Sequence, residues 1–272
     1  MGAIEEVVLE FHRLGIPELV ERELRLPTDV NRAVAVVGLR RVGKTFLLYQ
    51  TMRDLLSRGV GLREIFYVNF EDNRLEGISS SDLSEIVELY ARMNPGSRRM
   101  YLFLDEVQAV PGWERFVRRL LERRGARIFV TGSSSRLLSR EIATALRGRS
   151  LSFRLLSLSF AEFLSFKGAP ARPVTEDERG EVRGLLEEYL RYGGFPELVG
   201  YGELLKIRAL QEYVDLIVYR DLVERYGVEN TAALRGLIRA VIRNFARKTL
   251  SLIHISEPTR PRLISYAVFC LK

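Results

Sequence analysis

Cysteine occurs once in these 272 residues, at Cys270, and histidine twice, at His12 and His254. That scarcity excludes a disulfide framework and a Cys/His metal set, and it leaves no usable histidine for a Ser-His-Asp arrangement. Lysine is rare too. With only Lys44, Lys167, Lys206, Lys248 and Lys272, the basic excess behind the formal net charge of +7 is almost all arginine. So mild an excess permits nucleic acid as a partner without requiring it. No window approaches the roughly 20 apolar residues of a membrane-spanning helix. The opening MGAIEEVVLEFHRLG, with two early glutamates, is neither a signal peptide nor a transit peptide. A cytoplasmic protein without membrane contact is expected. A Gly-x-Gly-x-x-Gly turn is missing, and so is the Asn-Lys-x-Asp guanine-reading motif, which favours adenine over guanine as any base bound.

What is present is enough for a core: 47% hydrophobic residues beside 28% charged ones. The last 23 residues, LSLIHISEPTRPRLISYAVFCLK (250–272), stand apart, because they share none of the periodicity of the amphipathic helix before them. Back-translated with common codons, Leu250–Arg260 resembles the transposon-end adapter of short-read libraries, and Ile264–Leu271 resembles the sequencing-platform sequence beyond the sample index. The expectation is an artificial tail, with the natural chain cut near Thr249.

Short apolar runs at 33–37, 65–70, 100–104, 127–131 and 151–156 read as strands, several of them continuous enough to be buried on both faces. Helical stretches alternate with them. One covers 44–57, one runs from a capping signal at Ser81 to Met93, and one follows Trp113, with Phe116, Val117, Leu120 and Leu121 on its apolar side. Trp113 reads as a core anchor, and Arg115, Arg118 and Arg119 as the solvated side of that helix. Alternation predicts a parallel α/β sheet with helices on both faces. Helical segments follow at 158–166, 181–192 and 203–225, with the charged 167–180 as a connector. A further amphipathic helix starts at Thr231.

Gly38-Leu39-Arg40-Arg41-Val42-Gly43-Lys44-Thr45 matches G-x-x-x-x-G-K-[ST] between a strand and a helix. Its glycines let backbone N–H groups surround phosphate oxygens, and the helix adds its positive end. Lys44 is expected to reach the β- and γ-phosphates of ATP, and Thr45 to ligate Mg²⁺. MYLFLDE (100–106) ends an apolar strand in paired acids: Asp105 for the magnesium, and Glu106 to polarise a water for in-line attack. RIFVTGSSS (127–135) offers Thr131 or Ser133 as a hydroxyl near the γ-phosphate, Thr131 being favoured at the strand end. LRGRS (146–150) offers Arg147 or Arg149 to stabilise transition-state charge at a neighbour's site.

Taken together, VVGLRRVGKT, LFLDEVQAVPGWE, FVTGSSSRLLSREIATALRGR and LLSLSFAEFL resemble the prokaryotic AAA+-type ATPases that carry an uncharacterised C-terminal region. The resemblance runs from about residue 15 to 249. It implies an ATPase domain over 1–155, with Gly38–Thr45 on ATP, Asp105 and Glu106 serving Mg²⁺ and water, and 127–135 as the sensor strand. It implies a helical lid (156–203, with YGGFPELV at 192–199 as its turn) and the start of a truncated winged helix over 204–249, followed in full-length relatives by a nuclease-like fold. The family's Gly-Arg ending falls on Arg149, which makes it the better finger than Arg147. No lid arginine is found within 192–199. The expected activity is Mg²⁺-dependent ATP hydrolysis, coupled to DNA or a protein partner or completed by a second copy. The rival is a nucleotide-dependent switch or DNA-binding module with slow hydrolysis, and a P-loop kinase ranks below both.

Overall fold

The computed structural model describes residues 2–97, 99–122, 125–133, 142, 144–223 and 226–244. The tail at 250–272 and its expected artificial origin lie outside them. Five parallel strands, β1 (Ala33–Gly38), β2 (Ile65–Asn69), β3 (Met100–Asp105), β4 (Ala126–Ser133) and β5 (Ser150–Arg154), form one sheet in the order β2-β3-β4-β1-β5. The α/β expectation therefore holds.

Alternation along each strand decides which helix covers which face. Ala33, Ala35, Val37, Leu102, Leu104, Ile128 and Val130 point to a core shared with α1 (Ala3–Leu14), α3 (Ser84–Met93) and α4 (Trp113–Glu122). Trp113 is in that core, and Arg115 and Arg119 lie on the exposed side of α4, as expected. Val34, Val36, Ile65, Tyr67, Phe103 and Phe129 point to the other face, under α2 (Lys44–Ser57). Both faces being covered, the strands can be apolar throughout. The helix α1 was not legible as a separate element, although Ile4, Val7, Val8 and Phe11 are its buried face.

Three boundaries differ from expectation. Ser81 does not cap a helix: Asp82 instead accepts from the backbone and hydroxyl of Ser79 at 2.8 and 2.7 Å, closing a turn that delays α3 to Ser84. The 167–180 connector is too long, because Thr175 and Glu178 form a capping box that starts α6 at Glu176 (Glu176–Tyr192). β5 stops at Arg154, and Leu156 turns outward, 60% exposed.

After the sheet come α5 (Phe160–Lys167), α6 and α7 (Glu203–Leu216). Leu158, Phe163 and Val199 form a small core there, with Phe160, Phe166, Leu185 and Tyr189 against it. The chain divides into two compact units, Met1–Glu212 and a second beginning at Tyr213. In the second, a π-helical stretch, Ile217–Val223, precedes α8 (Thr231–Arg243), whose N-cap Asn230 accepts from the Ala233 N–H at 2.9 Å. Arg235 pairs there with Asp215 at 2.9 Å. Among the described residues no helix is long and apolar enough to cross a membrane.

Phe103 and Phe129 sit opposite each other in the β3–β4 register, their rings stacked at 4.4 Å and both fully buried. Phe103→Ala is expected to cost about 3–5 kcal/mol of unfolding free energy in urea titration; a loss under about 1 kcal/mol would contradict this packing.

Candidate active site

Every side chain of the site comes from the C-terminal edge of the sheet, where open α/β sheets place their ligands. β1 ends at Gly38, and a β-carbon there would lie 2.4 Å from the Leu155 carbonyl oxygen of β5's exit, so only glycine allows the close approach. The chain then loops through Leu39–Val42 to Gly43, whose φ of 92° is left-handed, before α2 begins at Lys44. Arg41 also has a positive φ, 63°, without being glycine. No side chain caps the start of α2 and no acid occupies its first turn, so the N–H groups there remain available to an anion.

Lys44 is buried, 5% exposed, and its ammonium contacts the Leu39 carbonyl and Glu106 Oε1, each at 3.2 Å. A loop-closing lysine thus already faces the acid that follows β3, two strands away from β1. Asp105, the last residue of β3, is buried and accepts three hydroxyl hydrogen bonds from three elements. Thr45 donates at 2.6 Å and Tyr67 at 3.0 Å, and Thr131 donates to the other oxygen. Burial pushes the Asp105 carboxyl above the ordinary carboxylate range; the Thr131 and Thr45 hydrogen bonds pull it back, and the charge of Glu106 adds to the rise. Tyr67 is itself pushed far up by burial and then by the charge of Asp105, so it stays a donor.

Glu106 has φ 50°, a left-handed position that costs a bulky residue of order 1 kcal/mol or more. The kink lets its N–H donate to Thr131 Oγ1 at 2.9 Å while its carboxylate turns to Lys44 on one side and the Gln108 amide on the other. Oxygen donors suit a hard cation. Thr45 and Asp105 are two such donors within hydrogen-bond distance, and no ion pair neutralises Asp105 among the described residues, so the pair fits Mg²⁺.

The structure therefore brings together Lys44, Thr45, Asp105, Glu106 and Thr131. Ser133 is the final residue of β4, and its side chain lies outside the description. Arg149 is elsewhere. Its carbonyl accepts from Ala33 at the start of β1, so it lies at the opposite, N-terminal edge of the sheet, where its side chain pairs with Glu122 at 2.7 Å. Arg147, with φ 50°, lies beside it. Neither can serve the loop of its own chain.

The sequence reading assigns no role to four residues at the site: Tyr67, Gln108, Arg22 and Glu162. The last two are joined in a buried ion pair at 2.8 Å, each 6% exposed, behind the loop. Burial raises the Glu162 carboxyl, but the Arg22 guanidinium and the backbone N–H groups of Ser159 and Glu23 outweigh it and hold it below the usual range.

A glycine loop between an inner strand and a helix, with a threonine and a strand-end aspartate behind it, is the arrangement of the P-loop fold. Residues 30–164 match the family model of an AAA domain. An uncharacterized protein of Methanocaldococcus jannaschii, MJ1544, is 37% identical over 247 residues, 90% of this chain and 54% of that protein. An uncharacterized Haemophilus influenzae protein is 34% identical over 211 residues, 77% of this chain and 51% of its own length. The chain thus spans about half the length of these curated relatives. Among solved structures, C. elegans PCH-2 aligns with a TM-score of 0.38 at 13% identity, over 80% of this chain and 67% of that one. The replication initiator DnaA bound to AMPPCP and single-stranded DNA aligns at 0.36 and 15% identity, over 97% and 84%.

A lowered Glu162 carboxyl contributes stability that is present above the ordinary carboxylate range and is lost as pH falls through the folded-state value. Glu162→Gln is expected to unfold more easily at neutral pH, by about 2 kcal/mol, with the gap to wild type closing as the solution is acidified. A gap that stays constant in thermal melts across that range would contradict the charge-based account.

Proposed function

We propose that this chain binds Mg²⁺-ATP at Gly38–Thr45 and hydrolyses its β–γ anhydride. The observation that carries the reading is the Lys44–Glu106 pair at 3.2 Å, set beside a buried Asp105 that bonds Thr45. The backbone N–H groups from Leu39 to Thr45 and the Lys44 ammonium hold the phosphates. Thr45 and Asp105 hold the Mg²⁺, which when bound neutralises charge on the phosphate oxygens. A triphosphate competes with Glu106 for Lys44; once released, the Glu106 carboxylate is free to accept a proton from the attacking water. Thr131, at the end of β4, fixes both acids by bonding the Asp105 side chain and the Glu106 backbone. It acts as the sensor hydroxyl through them.

Arg149 sits at the far edge of the sheet, exposed and paired only through Glu122 among the described contacts. In this reading Arg149 completes a second copy's site and not its own. Residues 156–203 serve as the lid over the nucleotide; the winged-helix region expected over 204–249 lies partly outside the described residues. Coupling to DNA or a protein partner falls to the half of the relatives' length that this chain does not span.

The slow-switch reading keeps one supporting observation. Glu106 is held by both Lys44 and Gln108, so a partner could set the rate at which it is freed. Steady-state turnover with and without duplex DNA separates the two readings.

Lys44→Ala is expected to weaken ATP binding at least about 100-fold, and Glu106→Gln to leave binding within about threefold while lowering phosphate release at least about 100-fold; retained turnover in the glutamine variant would show that another group activates water. For Arg149→Ala, turnover per chain should lose any rise with protein concentration seen in wild type and fall at least about tenfold at high concentration. Unchanged turnover at every concentration would remove the trans role.

A further inference from the structure

Arg22 precedes β1, belongs to none of the motifs, and is nevertheless one of the most heavily engaged side chains behind the loop. Its Nε and Nη2 grip both oxygens of Glu162 at 2.8 and 3.2 Å. Nη1 donates to the Val42 carbonyl at 2.8 Å, and Nη2 also donates to the Leu156 carbonyl at 2.9 Å. The Arg22 backbone is pinned in turn by Gln50 of α2, which accepts from the Arg22 N–H at 2.6 Å and donates to the carbonyls of Arg22 and Leu24. One guanidinium therefore joins the phosphate loop, the exit of β5 and the first turn of α5. A buried ion pair is weak evidence for stability alone, since apolar replacements often stabilise as well. Its geometry is the informative part.

The carbonyl of Val42 and the N–H of Gly43 belong to one peptide. Among the described residues no peptide bond is cis, so the two groups point to opposite sides of it. Among the described residues the Gly43 N–H has no protein acceptor. Gly43 itself is left-handed, and a β-carbon on it would lie 3.6 Å from Arg22 Nη1, so the guanidinium backs directly onto this peptide.

We propose that Arg22 is a positioning residue for phosphate binding: by anchoring the Val42 carbonyl outward it aims the Gly43 N–H into the loop, at the phosphate. The inference rests on the reading of Gly38–Thr45 as a triphosphate cradle. An arginine suits the task because its planar fork reaches three acceptors at once and it does not deprotonate. A lysine keeps the charge opposite Glu162 but, as a point donor, cannot hold Val42, Leu156 and Glu162 together. Because Glu162 also accepts from the N–H groups of Glu23 and Ser159, the same anchor ties the loop's conformation to the start of α5.

The test measures dissociation constants for ATP, ADP and adenosine by calorimetry or competition on wild type, Arg22→Ala and Arg22→Lys, with circular dichroism to establish folding. Both variants should lose at least about tenfold in ATP and ADP affinity while adenosine changes less than about threefold, so that the ATP-to-adenosine ratio falls at least about threefold. A purely structural role would lower the melting temperature and leave that ratio unchanged, which would overturn the proposal. If Arg22→Ala does not fold, Arg22→Lys decides; if neither folds, Arg22 is a stability residue and the proposal fails. A wild-type chain that binds no ATP refutes the reading of the loop itself. Wild-type binding with an unchanged ratio in Arg22→Lys refutes only the role of Arg22.

Discussion

The carboxylate of Asp105 is buried at the end of β3 and held by hydroxyls from β2, β4 and the first turn of α2. Three elements far apart in sequence therefore meet on two oxygen atoms. The contact fixes the height of α2 against the sheet, and with it the curl of the glycine loop that leads into α2. It also leaves a negative charge in a place where burial opposes it. A fold seeking only stability would put an apolar residue there. In the proposed function, that charge is one arm of a site for a cation and a polyanion together.

Of the three non-glycine residues with left-handed backbone among the described residues, Arg147 lies at the other edge of the sheet; Arg41 and Glu106 lie at the same edge as Asp105, where Lys44 is buried against Glu106. Each is individually costly, and each is over-determined by its surroundings: the loop by Gly38 and Gly43, the acid by Thr131 and Gln108. Such local conflicts gather where a sequence serves chemistry and not packing alone. The opposite edge of the sheet carries exposed arginines, with Arg149 paired to an exposed glutamate.

Much of this is legible in the sequence. The five strands announced themselves as short apolar runs because both faces of the sheet are covered, and the phosphate loop and Asp105–Glu106 were marked by fixed local spacing. Local signals misled where two readings share a composition. SSSD looks like a helix cap and is a Ser79–Asp82 turn; TEDERG looks like a linker and is the capped start of α6. What could not be read at all depends on distance along the chain. Tyr67 meets Asp105 from 38 residues away and Arg22 meets Glu162 from 140, and neither pair has a spacing that a single sequence can show. Only folding the sheet brings them to one edge.

The central claim is that Lys44 and Thr45 exchange their present partners for a nucleotide and its metal. A crystal structure of the chain with Mg²⁺ and a non-hydrolysable ATP analogue tests it most directly. The account predicts the Lys44 ammonium on the β- and γ-phosphates, Thr45 turned from Asp105 to the metal, and the Glu106 carboxylate released toward the γ-phosphorus. A nucleotide bound elsewhere, or an intact Lys44–Glu106 pair beneath a bound triphosphate, would contradict it.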